Sequence, residues 1–287
     1  MKPSQGKNNI EKSAIGFVFT NYNNSGYSKA AVESIVENNS ERSYKIVIVD
    51  NSSASSDIEK LKLVKLNNPE IELILNDKNV GYFKGLNIGL KFLQLEYPEI
   101  RHIVVGNNDL IFPKNFISEI RQEFKLFEIH PVISPDIITL DGEHQNPHVI
   151  NKLSKLRELI YDLYYSNFIL SQIILIIAKL TKKITDRRDE THFEKAQMIS
   201  QGYGACYILG PVFLEEFGTL WAPTFLMGEE YFLSKQLEKK DMKVFYTPKI
   251  KVNHHDHATM GQLGNRKLWK ISKASHQMIR KIERLKP

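Results

Sequence analysis

Short β-branched runs alternate with longer amphipathic stretches through the first half of this chain. Ile15-Gly16-Phe17-Val18-Phe19-Thr20 and Lys45-Ile46-Val47-Ile48-Val49-Asp50 are apolar at nearly every position, the pattern of strands buried on both faces. Ile71 to Leu75 predicts a third strand and Ile103-Val104-Val105 a fourth. Helical spacing fills the intervals in Ser28 to Asn38, with Ser28 placed to cap it, in Asp57 to Leu66 and in Tyr82 to Leu95. The second half is less regular. Pro131 to Pro147 reads as a strand and loop, Gly202 to Leu209 as a strand, Glu229 to Lys239 as a helix and Lys243 to Tyr246 as a strand. A histidine-rich stretch, Val252 to His257, follows.

Strand–helix alternation predicts an α/β fold whose mostly parallel sheet is covered by helices on both faces. Right-handed crossovers gather the strand C-terminal ends along one edge, where open α/β sheets bind ligands. The polar residues collect at that edge: Thr20-Asn21-Tyr22-Asn23, Asp50-Asn51-Ser52-Ser53, Asn79 and Asn107-Asn108-Asp109.

Length and composition bound the class. The chain has 287 residues, 42% of them hydrophobic, enough for a sizeable core. Its net charge of +6 favours an anionic partner without choosing among nucleic acid, anionic lipid and phosphorylated substrate. One cysteine, Cys206, excludes an intrachain disulfide or a multi-cysteine zinc site and fits a reducing, cytoplasmic compartment. Met1 to Ser13 lacks the apolar core of a signal peptide.

Leu153 to Leu180 ends in the apolar stretch Phe168 to Ala178, too short to span a bilayer. Flanked by Tyr161, Tyr164, Tyr165, Lys179, Lys182 and Lys183, it suits a helix lying in a membrane interface, or one packed on the core or across a homodimer. The charged segment Thr185 to Glu194 reads as a loop. From Arg266, Leu268, Ile271, Ser275, Met278, Ile282 and Leu285 recur at three- and four-residue steps opposite a basic face of Lys267, Lys270, Lys273, Arg280, Lys281 and Arg284. That helix either meets anionic lipid or docks on the domain.

Four clusters could carry chemistry. Asn107-Asn108-Asp109 offers oxygen ligands to a hard divalent cation, or simply a turn. Asp50 could accept a hydrogen bond from a nucleobase or ribose, or cap the next helix. Glu229-Glu230 could supply a general base, or complement a helix dipole. His254, His255, Asp256 and His257 could bind a transition-type ion such as manganese, or form an exposed polar strand.

Their order along the chain resembles glycosyltransferase family 2 with the GT-A fold, close to its rhamnosyltransferase-like members. The resemblance rests on Phe17 to Asn23, Ile48 to Ser53, Asn79-Val80-Gly81-Tyr82 through Asn87-Ile88-Gly89, Gly106 to Asp109 with Pro113, Gly204-Ala205 with Phe213 to Gly218, Met227-Gly228-Glu229-Glu230, and Val252-Asn253-His254 with Thr259. It covers roughly residues 15–130 and 200–260.

The resemblance implies a Rossmann-like domain over 15–264, after a disordered 1–14 and before a basic amphipathic helix over 265–287. Within it, 15–130 would bind a nucleotide-sugar, 131–200 would be a loop and helical insertion, and 201–264 would face the acceptor. It implies that Thr20, Tyr22, Asn23, Asp50, Ser52, Asn79, Gly81, Asn107 and Asn108 cradle a UDP-, dTDP- or GDP-sugar. Asp109 would bind Mn2+ or Mg2+, with His254, or else His255 or His257, as second ligand. Glu230, one methylene longer than the family's Asp, would be the base and Glu229 would orient the site.

The implied activity is inverting transfer onto a hydroxyl of a cell-surface polysaccharide, O-antigen or lipid-linked glycan precursor, at the inner face of the cytoplasmic membrane and without nucleic acid. A catalytically inactive nucleotide-sugar-binding or scaffold protein is the alternative. A nucleotidyltransferase fits less well, since Thr20-Asn21-Tyr22-Asn23 is not a glycine-rich phosphate loop.

Overall fold

The computed structural model describes residues 14–37, 43–151, 154–180, 189–255 and 264–284. The segment 1–13, the loop residues 185–188, the cluster members Asp256 and His257, Thr259 and the tail residue Leu285 lie outside the described residues. The first half runs β1 (Ile15–Asn21), α1 (Ser25–Val36), β2 (Tyr44–Asp50), α2 (Ser55–Asn67), β3 (Ile71–Leu75), α3 (Tyr82–Glu96) and β4 (His102–Asn107).

These strands are parallel in the order β3-β2-β1-β4. Their alternating side chains explain why every position is apolar. Phe17, Phe19, Ile46 and Ile48 pack on one face with Val32 and Ile35 of α1 and Leu61 and Val64 of α2. Val18, Val47 and Val49 pack on the other with Phe83, Leu86, Leu90 and Leu93 of α3. A side chain at Gly89 would place its Cβ 2.5 Å from Val18 Cγ1, so glycine lets α3 lie directly on the sheet. The chain moves outward from β1 through β2 to β3, then returns to the opposite side of β1 for β4. A crevice opens at such a reversal, at the carboxyl ends of the two strands.

The second half adds β5 (Leu110–Ile111), α4 (Phe116–Gln122), α5 (Phe124–Phe127), β6 (Val132–Thr139), α6 (Lys155–Ser166), α7 (Phe168–Leu180), β7 (Gln197–Ile199), β8 (Cys206–Leu209), α8 (Pro211–Glu216), α9 (Glu229–Glu238), β9 (Val244–His254) and α10 (Asn265–Arg284). Strand β8 runs against β4 and extends the sheet to β6, β9 and β5, with β7 on β9.

The elements differ from the sequence reading in three places. Helix α1 starts at Ser25, and Ser28 is buried inside it, donating to Asn21 Oδ1 at 2.8 Å rather than capping. The strand at 243–246 and the histidine stretch are one strand, β9, because its pairing with β6 jumps from Thr247 to Lys251 across Pro248, which has no N–H to donate. The described part of the 153–180 segment forms two helices, α6 and α7, broken where Asn167 Oδ1 accepts from the Ile169 N–H at 2.7 Å.

Helix α10 docks on the domain. Trp269 is buried and its Nε1 donates to Tyr164 O at 3.2 Å, while Ser275 Oγ donates to Leu226 O at 2.7 Å. Arg280 pairs with Glu158 at 3.2 Å and Asp162 at 2.9 Å. Partly exposed pairs contribute only about 0–1 kcal/mol each, so the indole and the buried hydroxyl carry most of the docking. Among the described residues, no helix is long and apolar enough to cross a membrane.

Candidate active site

Asp109 follows β4 in the tight turn into β5. Because β5 pairs with the end of β9, Leu110 lies opposite His254, and the two cluster residues meet across 145 positions of sequence. His254 Nε2 lies 3.2 Å from Asp109 Oδ1, and both residues are buried. His254 Nδ1 lies 2.7 Å from Gln145 Oε1, which can only accept, so Nδ1 carries the proton in that contact. In the neutral ring Nε2 then turns a lone pair toward the carboxylate, with Asn107 Nδ2 at 3.4 Å. A cation between the two, or a proton on Nε2, satisfies that contact. One carboxylate and one imidazole suit Mn2+ and tolerate Mg2+. Among the described residues no three His, Cys, Asp or Glu side chains gather as a metal cage, so this pair would leave positions for outside ligands. The His255 ring lies against Tyr27 instead, at 5.6 Å.

Asp50 ends β2 in register with Asn21. It is fully buried; Oδ1 accepts from Asn21 Nδ2 at 2.8 Å and Ser53 Oγ at 2.6 Å, and Oδ2 accepts from the Ser53 N–H at 2.9 Å. It does not cap α2, whose N-cap is Ala54. Asn108 is also buried, its amide donating to Asn24 Oδ1 at 2.8 Å and Ser28 Oγ at 2.7 Å. Asp57 joins this network. Burial works against its charge, yet hydrogen bonds from Ser25 and Asn21 hold its carboxyl below the usual range. Asn23 Oδ1 accepts from the Ala54 N–H at 2.8 Å, and Ser52 Oγ donates to Asp77 O at 3.2 Å. Thr20 is half-buried and Tyr22 exposed.

Asn79 Oδ1 accepts from the Gly81 N–H at 3.0 Å, shaping a turn in which Gly81 has φ +92°. A Cβ there would lie 2.0 Å from Phe225 O, so only glycine lets this turn close on the 225–228 segment. Tyr82 is thereby seated beside the acids. Its hydroxyl donates to Gly204 O at 2.9 Å, and the Gly204 N–H donates to Glu230 Oε1 at 3.1 Å. Burial pushes the Tyr82 phenol well up, and the charges of Glu229, Cys206, Asp109 and Glu230 push it further.

The two glutamates diverge. Met227 and Gly228 both have positive φ, at +76° and +83°, and turn the chain sharply into α9. Glu229 is buried in that turn, accepting from the Met227 N–H at 3.0 Å. Burial, then the neighbouring Glu230 charge, pushes its carboxyl up to about 8. Glu230 instead lines a cavity of about 260 Å³, walled by Tyr161 of α6, Tyr231 of α9 and Ser275 and Ile279 of α10. The profile of glycosyl transferase family 2 matches residues 17–176, more than half of the chain.

The chain belongs to glycosyl transferase family 2.

Solved structures with the same fold include GalNAc-T7 with UDP, GalNAc and Mn2+, at TM-score 0.53 and 14% identity over 84% of this chain and 44% of that one. The mannosyltransferase PcManGT from Pyrobaculum calidifontis, in complex with GDP-Man and Mn2+, gives 0.56 and 13% over 93% and 62%. TarS 1-349 from S. aureus gives 0.51 and 11% over 82% and 60%. The chain spans less than two thirds of each of these structures, and their likeness is one of fold. No curated protein matches the chain.

For this family 2 chain, sequence reading brought Asp109, His254, Glu229 and Glu230 to attention but gave no role to Gln145, Tyr82 or Gly204. Gln145 sits in a loop with no pattern around it. Gly204 carried a faint signal as part of the Gly204-Ala205 element, and the structure gives its reason: a Cβ there would lie 2.5 Å from Glu230 Oε1.

Proposed function

We propose that this family 2 chain transfers a sugar from a nucleotide-diphosphate donor to an acceptor hydroxyl, with inversion at the anomeric carbon. The observation that carries the reading is Asp109 Oδ1 facing His254 Nε2 at 3.2 Å, while Tyr82, from the Asn79–Gly81 turn, is tied through Gly204 to Glu230. Asp109 and His254 would hold Mn2+ or Mg2+, which acts there as a Lewis acid toward the departing diphosphate. The Mn2+ in the GalNAc-T7 and PcManGT structures, and their UDP and GDP-Man, support a divalent ion and a nucleotide-sugar.

Thr20, Tyr22, Asn23, Ser52, Asn79, Gly81 and Asn107 would border the donor. Asp50 and Asn108 would act from beneath, fixing Asn21 and the 50–53 turn. Glu230 takes the acceptor proton as the hydroxyl oxygen bonds to the anomeric carbon and the bond to diphosphate breaks. A positioned base of this kind contributes roughly 10²–10⁴ in rate. Glu229 holds the turn that presents it.

The helix pair α6 and α7 would rest on the inner face of the cytoplasmic membrane. Ile169, Ile173, Ile176, Ile177 and Leu180 form an exposed apolar stripe on α7, and the cationic α10 lies beside it. A lipid-linked or polysaccharide acceptor would be met there.

Thermal-shift titration with UDP-, dTDP- and GDP-sugars tests the reading. One donor should raise the unfolding temperature only with Mn2+ present, and Asp109→Asn should remove that dependence. Stabilisation by nucleotide-sugar that ignores both the metal and the variant would refute the metal assignment.

A further inference from the structure

The cavity beside Glu230 adjoins a larger one of about 620 Å³ between α6 and α10, with Tyr165, His276 and Arg280 on the boundary that both share. The larger cavity is walled by Lys273, Arg280, Lys281 and Arg284, against one carboxylate, Asp162. Those four cations fall at helical spacing, so α10 turns a basic stripe into the groove. Asp162 is already taken, with His276 Nε2 at 2.7 Å and Arg280 at 2.9 Å, and Arg280 also pairs with Glu158 at 3.2 Å and Glu283 at 2.9 Å, so Lys273, Lys281 and Arg284 supply the open charge. Lys281 and Arg284 make no ion pair among the described residues, and Lys273 Nζ donates only to Ser166 O, at 3.0 Å. Asp109 and His254 line neither cavity, so this basic surface is separate from the metal pair.

We propose that the groove binds the phosphate or diphosphate of an anionic acceptor and so presents that acceptor's hydroxyl to Glu230. The proposal rests on the glycosyl-transfer reading and adds the acceptor's chemical class. From His276 to Arg284 is about 12 Å along a helix. The phosphate therefore sits away from the reacting hydroxyl, and the acceptor is a phosphate-bearing glycan rather than a bare phosphate. Side chains of fixed positive charge in a groove raise the local concentration of such an anion. The phosphate could belong to a lipid-linked or a water-soluble ester, since the groove recognises the same group in either.

Isothermal titration of the full chain in EDTA, which keeps diphosphate from being drawn to Asp109 through a metal, tests this with inorganic pyrophosphate, geranyl diphosphate and geraniol. The diphosphates should bind and geraniol should not. The exposed double change K281E/R284E should weaken diphosphate binding by roughly tenfold or more. K267E/K270E carries the same charge change on exposed residues of α10 outside the groove and should leave it unaltered. Geranyl diphosphate binding tighter than pyrophosphate marks a lipid-linked source, and equal binding a soluble one. Wild type that ignores both diphosphates, or K281E/R284E that binds them as wild type does, overturns the proposal. Donor hydrolysis by wild type with Mn2+ is run in parallel; its absence with diphosphate binding intact would sink the transferase reading and leave the groove standing.

Discussion

Glu229 occupies a buried turn where its carboxylate has the Met227 amide as a partner and the Glu230 charge as a neighbour. Its carboxyl is raised from the ordinary 4.5 to about 8, so between those values the folded chain keeps a proton that the unfolded chain releases. The stability from this proton is complete below about pH 4.5 and is lost as pH rises through about 8. His102 works in the other direction. Buried against Phe124 and pulled down to about 4, it stabilises the fold above 6.5 and loses that contribution as pH falls through 4. Thermal unfolding from pH 6.5 to 9 should therefore show a decline in wild type that Glu229→Gln flattens; equal slopes would show that Glu229 is ionised throughout. At this scale the sequence exposed the acids and histidines by clustering. It could not show that Asp50 and Asn108 would be consumed by their own neighbours, because Asn21, Ser53 and Ser28 become partners only once β1, β2 and α1 are assembled.

At the level of elements, the strands and helices of the first half were legible because each is buried on the faces its periodicity implies. The continuity of strand β9 from 243–246 into the histidine stretch was not, since Pro248 reads as a break and only the opposing β6 shows that pairing resumes beyond it. The α6–α7 segment was legible as apolar and illegible in its partner. Its outer stripe remains exposed, with Ile169 at 71% and Leu180 at 82%. Burying one such side chain is worth about 1.5–3 kcal/mol. I173E/I176E should therefore reduce co-sedimentation with vesicles containing anionic lipid by roughly tenfold or more, and high salt should weaken the wild type through α10. A wild type that ignores vesicles and elutes as a dimer would assign the stripe to a second copy of the chain.

Across the whole molecule, the site is made by topology. The strand order reverses between β1 and β4, where open α/β sheets bind ligands, the β5–β9 pairing carries His254 to Asp109, and the Gly81 turn closing on Phe225 brings α3 to the start of α9. The motif order implied a shared site for Asp109 and His254 but held no sign of the β5–β9 pairing or of the Gly81 turn. The wall that α6 and α10 raise around Glu230 could not be foreseen, because it comes from an insertion and a tail whose docking depends on Trp269 and Tyr164 finding each other. The central claim is that the carboxylate lining this cavity removes the acceptor proton. Glu230→Gln keeps the Gly204 hydrogen bond and the side-chain volume while removing the base. Turnover of the preferred nucleotide-sugar with Mn2+ should fall by about 10²-fold or more while nucleotide affinity stays at the wild-type value. Equal turnover in Glu230→Gln would contradict the account.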